Sequence, residues 1–210
     1  MSQESAELLL QFNRKWAERV KKEKPDFFSE TAKDQHPIYL WIGCSDSRIP
    51  ETVIMEQLPG DIFVHRNIAN LVLHSDMNCQ SVLQYAVQVL KVEDVIICGH
   101  YGCGGIKAAL QDHRLGLIDN WLRNIKELYL DHKEEIDLLE SSDKKADRLS
   151  ELNVIQQHRH VCDSPFVQEE WEKGRDLCVH GWMYDMFDGK LRDLHLSKNR
   201  DGFSSADNPS

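Results

Sequence analysis

At 210 residues, with a formal charge of −10 and 41% hydrophobic residues, the chain is long enough to bury one sizeable core and is expected to form a single domain over residues 1–210. Its acidic and basic residues are scattered rather than blocked, which argues against nucleic acid or an anionic membrane surface as a partner. The short Leu8-Leu9-Leu10 run does not read as a signal peptide and no apolar run is long enough to span a bilayer, so a soluble cytoplasmic protein with reduced cysteines is the expectation. From Ser5 to Lys22, the residues Leu8, Leu9, Phe12, Trp16 and Val20 recur at spacings of three and four. They predict an amphipathic N-terminal helical arm, residues 1–35, that packs on the domain or on a partner subunit. Ile38 to Gly43 reads as a buried strand, Ile62 to Arg66 as a short one, and Cys79 to Leu90 as a helix with Val82, Leu83, Ala86, Val87 and Leu90 on one face. Val95 to Gly99 is a second buried strand. The order strand, strand, helix, strand predicts an α/β fold, a central mostly parallel β-sheet flanked by α-helices. Further helices are predicted over Gly105–Gln111, Asp119–Glu140, Ala146–Arg159 and Phe166–Lys173, then a strand over Leu177–Tyr184 and a disordered tail, residues 199–210.

Two segments carry chemistry, each beginning where a predicted buried strand ends. The first is Gly43-Cys44-Ser45-Asp46-Ser47-Arg48-Ile49-Pro50 and the second is Cys98-Gly99-His100-Tyr101-Gly102-Cys103-Gly104-Gly105. Ligands in open parallel sheets sit outside the carboxyl ends of the strands, so two central strands can deliver both segments to one place. Cys44, His100 and Cys103 then offer two thiolates and an imidazole, a natural shell for zinc that leaves one position open. An open position suits catalysis, because the metal makes a bound water acidic enough to yield hydroxide near neutral pH. Alternate residues of an extended segment face one side, so Asp46 and Arg48 can project with Cys44. Arg48 can hold the Asp46 carboxylate bidentately and leave it a lone pair with which to orient a hydroxide. Released by Arg48, Asp46 is placed to become a fourth zinc ligand.

The arrangement Cys44-x-Asp46-x-Arg48, followed far downstream by His100-x-x-Cys103-Gly104-Gly105, resembles the β-class carbonic anhydrases, and the resemblance runs from about Ile38 to Tyr184. It implies zinc at Cys44, His100 and Cys103, a catalytic Asp46–Arg48 dyad, CO2 and bicarbonate as substrates, and homodimers often paired into homotetramers. The implied reaction is reversible hydration of CO2 by attack of zinc hydroxide. Some bacterial and algal members close the site by Asp ligation and bind inhibitory bicarbonate in a pocket of Trp, Arg and Tyr; by motif these are Trp41, Arg66 and Tyr184. Glu51 departs from the pattern, since related sequences often carry a small residue after the proline. Thiolate ligands donate more charge to zinc than imidazoles do, so activity is expected to rise toward alkaline pH.

Other readings remain at this stage. The same zinc chemistry serves a hydrolase of carbonyl sulfide or carbon disulfide, and a site closed by Asp46 serves a zinc-stabilised binding module. A redox or phosphatase nucleophile at Cys44 is disfavoured, because Cys44 and Arg48 are too close for a phosphate-cradling loop and no Cys-x-x-Cys is present. Gly102, Gly104 and Gly105 lack the Lys-Ser or Lys-Thr of a P-loop. Cys79, Cys98, Cys162 and Cys178 read as small core residues, and the remaining histidines as surface or satisfied core residues.

Overall fold

The computed structural model describes residues 3–111 and 114–203, residues 3 and 4 by backbone alone. It divides into two compact units, one up to His36 and one from Pro37 onward. The first holds helices α1 (Gln3–Glu23) and α2 (Phe27–Thr31). No Gly or Pro interrupts α1, and Lys21 and Lys22 lie in its last turn, where cations complement the carbonyl end. Trp16 meets Phe28 edge to face at 5.8 Å, while Leu8, Leu9, Leu10 and Phe12 are exposed.

The second unit is built on β1 (Tyr39–Cys44), β2 (Ile62–Asn67), β3 (Asp94–His100), β4 (Cys178–Asp185), β5 (Lys190–Asp193), β6 (Lys198–Asn199) and β7 (Gly202–Phe203). The sheet runs β2-β1-β3-β4-β6-β7, with β5 also paired to β4. The pairs β1–β2, β1–β3 and β3–β4 are parallel, and the later pairings are antiparallel. Around it lie α3 (Glu51–Ile54), α4 (Met77–Gln84), α5 (Gly104–Ala109), α6 (Ile118–Asp131), α7 (Lys133–Asp137), α8 (Ser142–Cys162) and α9 (Pro165–Glu172). The α/β architecture read from the sequence is therefore the one observed, as a mixed sheet whose central strands are parallel.

Central strands bury both faces, so their sequences read as continuous apolar runs. Leu40 and Ile42 of β1, Val95 and Ile97 of β3, and Val179 and Met183 of β4 pack with Leu83 of α4 and Val154 and Val161 of α8. Each such side chain contributes roughly 1.5–3 kcal/mol on leaving water. Trp41, Ile96, Cys98 and Tyr184 alternate onto the opposite face and meet Ile49. Helix α8 comes so close to β3 that a Cβ at Gly99 would lie 2.6 Å from Val154 Cγ2.

Three local expectations are corrected. The helix expected over Asp119–Glu140 is two, α6 and α7, broken at His132 (φ −113°, ψ 17°). The helix expected over Cys79–Leu90 starts earlier, behind Asp76, whose carboxylate accepts from Asn78 N–H, and loosens into a π-helical segment, Tyr85–Leu90, that ends at left-handed Lys91. The tail expected to be disordered from residue 199 contributes to β6 and forms β7, while residues 204–210 lie outside the described residues.

Candidate metal centre and active site

Cys44 is the last residue of β1 and His100 the last of β3, and these strands are neighbours at the middle of the sheet. Cys103 follows three residues later, at the N-cap of α5. Strand ends and a helix start thus deliver two sulfurs and a nitrogen to one point, with all three donor atoms within 4.8 Å of one another. The residues are buried, and the two sulfurs lie 4.0 Å apart.

The two thiols share charge unequally. The hydrogen bond from Cys103 lowers the Cys44 pKa far below the usual thiol range, against burial, and the His100 ring and the Ala69 N–H assist it. That same hydrogen bond, together with burial, pushes Cys103 well above the usual range. A buried pair that takes one negative charge readily and a second reluctantly is one that a cation completes.

The donor set fits zinc on a second observation. His100 Nδ1 lies 3.1 Å from the Tyr101 carbonyl oxygen, which can only accept, so Nδ1 carries the proton. That leaves Nε2, a buried nitrogen without any hydrogen-bond partner, as the ring atom available to a ligand beside the sulfurs. Buried polar atoms are rarely left unpaired, and a metal ligand is what such an imidazole is prepared to be.

Asp46 is gripped by Arg48. The guanidinium donates from Nε to Oδ1 at 2.9 Å and from a terminal nitrogen to Oδ2 at 2.7 Å, and the Arg48 N–H adds a bond to Oδ1 at 3.0 Å. These bonds hold the Asp46 carboxyl well below the usual carboxylate range despite some burial. Its Oδ2 is also 3.9 Å from His100 Nε2. Asp46 therefore stands beside the metal-type cluster, held by Arg48.

Arg66, from β2, serves the same loop from beneath. It donates to the Cys44 carbonyl at 2.9 Å and to the Asp46 carbonyl at 2.5 Å, and its remaining terminal nitrogen is 3.7 Å from Glu51 Oε2. Trp41 and Tyr184 are buried in one apolar cluster on that side of the sheet, and Trp41 Nε1 and Glu51 Oε2 are buried without hydrogen-bond partners.

Several supporting residues carry no signal of their own in the sequence. Ala69 and Asn70 adopt left-handed backbone (φ 63° and 47°), which costs energy outside glycine and aims the Ala69 N–H at Cys44. Helix α8 fixes that turn from below: Asn153 donates to the Ala69 carbonyl at 2.8 Å, and Gln157 accepts from the Val72 N–H at 2.8 Å. Asp147 of α8 accepts from the N–H of Gly102, whose φ of +67° favours glycine, and so sets the turn between His100 and Cys103. A cleft of about 660 Å³ opens beside Arg48, between Tyr101, Asp147 and Phe187.

An α/β sheet that sets two thiols and an imidazole at the ends of central parallel strands, with a carboxylate–guanidinium pair alongside, defines a metalloenzyme centre of the Cys-His-Cys class. The comparisons with known proteins make this specific. A family model described as carbonic anhydrase matches residues 39–191. A carbonic anhydrase of Emericella nidulans is 45% identical over 90% of this chain and 82% of its own length, and one of Saccharomyces cerevisiae is 35% identical over 88% and 86%. Among solved structures, a tetrameric β-carbonic anhydrase of Sordaria macrospora superposes with a TM-score of 0.90 at 39% identity, covering 93% of this chain and all of that one. The chain belongs to the carbonic anhydrase family, as an enzyme of its β class.

Proposed function

We propose that this enzyme interconverts carbon dioxide and bicarbonate with one zinc ion held by Cys44, His100 and Cys103. The observation that carries the reading is the orphaned Nε2 of His100 facing a sulfur pair 4.0 Å apart, with Asp46 Oδ2 3.9 Å away. Bound there, zinc supplies the Lewis acidity that makes water nucleophilic near neutral pH. The chain's own residues do the rest. Asp46, ionised and acceptor-only, takes a hydrogen bond from the reacting oxygen and aims it. Arg48 keeps that carboxylate from wandering, and Arg66 fixes the backbone on which Asp46 sits. The Ala69 N–H restrains the charge on Cys44. Stopped-flow CO2 hydration with zinc analysis on the same sample tests this: Cys44→Ala is expected to lose activity and one zinc per chain together. A Cys44→Ala protein that still hydrates CO2 at the wild-type rate would overturn it.

Regulation by bicarbonate at Trp41, Arg66 and Tyr184 belongs to the same proposal, supported by the unpartnered Trp41 Nε1 and by the Arg66 nitrogen that faces Glu51. Glu51 competes with any anion for Arg66. Glu51→Gln is therefore expected to make bicarbonate inhibit at concentrations about 5- to 30-fold lower, the factor that one or two kcal/mol represents. Initial hydration rates measured against bicarbonate check this, and identical inhibition in both proteins would refute the competition. Self-association is part of the reading as well, supported by the exposed Leu8, Leu9, Leu10 and Phe12 of α1.

A further inference from the structure

Among the described residues a second group of donors converges as closely as the first. Asp94, Cys178 and His180 bring a carboxylate oxygen, a sulfur and an imidazole nitrogen within 4.8 Å of one another. The sheet register produces this. Asp94 opens β3 and Cys178 opens β4, the two are direct partners across the parallel pair, and His180 follows two residues on, so all three project from one face. His100 lies six positions along β3 from Asp94, about 20 Å of strand, so this cluster lies at the opposite end of these strands from the catalytic residues.

We propose that Asp94, Cys178 and His180 form a second metal site, selective for zinc or a similar thiophilic divalent cation, which pins the starts of β3 and β4 together. The donors are mixed, one soft sulfur, one imidazole and one carboxylate, a set that suits zinc and not calcium or magnesium. Bond lengths of roughly 2.0–2.3 Å place tetrahedral zinc ligands about 3.3–3.8 Å apart, within reach of atoms already gathered here. His180 is also oriented as a ligand is. Its Nδ1 lies 2.9 Å from Ser197 Oγ, and its Nε2 lies 2.9 Å from Asp94 Oδ1. A hydroxyl on Nδ1 fixes the ring with Nε2 turned to Asp94, the outer support that ligating histidines share.

The residues are half-buried, open enough to load and enclosed enough to hold. Nothing in the catalytic proposal uses them.

Zinc stoichiometry of the purified full-length enzyme, equilibrated with micromolar free zinc and then analysed by mass spectrometry, tests the site. Wild type is expected to hold two zinc ions per chain. Cys178→Ser and Asp94→Asn are each expected to hold one, with CO2 hydration unchanged, whereas Cys44→Ala keeps one ion but loses activity. Cobalt(II) provides a second readout. In a Cys44→Ala, Cys103→Ala background its near-ultraviolet thiolate charge-transfer band is expected to persist, and to vanish when Cys178→Ser is added. Saturation of wild type at one ion, two ions in both Cys178→Ser and Asp94→Asn, or no cobalt–thiolate band in the double variant would overturn the second site without touching the catalytic one.

Discussion

Arg48→Ala is expected to lower kcat/KM for CO2 hydration by about 10- to 100-fold, the loss typical when a group that orients a metal centre is removed, while zinc content and fold stay as they are. Arg48 makes three hydrogen bonds to one carboxylate, two from its guanidinium and one from its backbone. Its side chain is 59% exposed, so it contributes little burial and its loss leaves no cavity. What disappears is the aim of Asp46. Without the guanidinium the Asp46 pKa rises back toward the ordinary carboxylate value, which is still far below neutrality, so Asp46 remains charged in the variant. The defect should therefore be the same factor at every pH from mildly acidic to alkaline, because orientation fails and protonation does not. Arg48→Lys keeps the charge but not the planar fork, and it should fall nearly as far as Arg48→Ala. Stopped-flow rates across pH on both variants check this. Near-wild-type activity in Arg48→Ala would show that Asp46 needs no holder, and a defect confined to acidic pH would show that Arg48 acts on its charge.

The metal-type cluster was legible because its parts lie where sequence pattern is most informative. Cys44 and His100 each end a run of bulky apolar residues, and Asp46 and Arg48 follow Cys44 at alternate positions. Runs of that kind are central strands, and central parallel strands present their carboxyl ends to one crevice. The supporting structure was not legible, since Asn153 and Gln157 are polar residues inside a helix and become conspicuous only when α8 meets the 69–72 turn. Left-handed backbone at Ala69 runs against alanine's preference and is imposed by those tertiary hydrogen bonds. The break at His132 has no Gly or Pro to mark it, and strands of two residues such as β6 and β7 are too short to show a period. Cys178 was read as a core residue, whereas it is only partly buried and shares a face with His180 and Asp94, a fact contained in the β3–β4 register and not in either segment alone.

Glu170→Gln is expected to cost about 2–3 kcal/mol of stability at neutral pH, somewhat less than the 3–5 kcal/mol of breaking a fully buried ion pair, because two of its partners are half exposed. The Glu170 side chain, in α9, is 3% exposed and meets three cations: Lys91 at 2.8 Å, Lys173 at 2.9 Å and Arg175 at 3.2 Å. Arg175 also donates to the Val87 and Val92 carbonyls, so the cluster ties α9 to the π-helical segment and to the turn that leads into β3. Burial pushes the Glu170 carboxyl up, but the three cations prevail and hold its pKa at about 2, against an ordinary value of 4.5. A depressed folded-state pKa stabilises above the unfolded value and ceases to do so as pH falls through the folded one. The contribution should thus be complete above pH 4.5 and vanish as pH falls toward 2. Urea unfolding of wild type and Glu170→Gln at neutral and acidic pH checks the sign: the gap between the two should be widest at neutral pH and close in acid. A gap that stays constant on acidification would mean that the carboxylate's charge is not what holds α9 to the sheet, and that Glu170 acts there through packing alone.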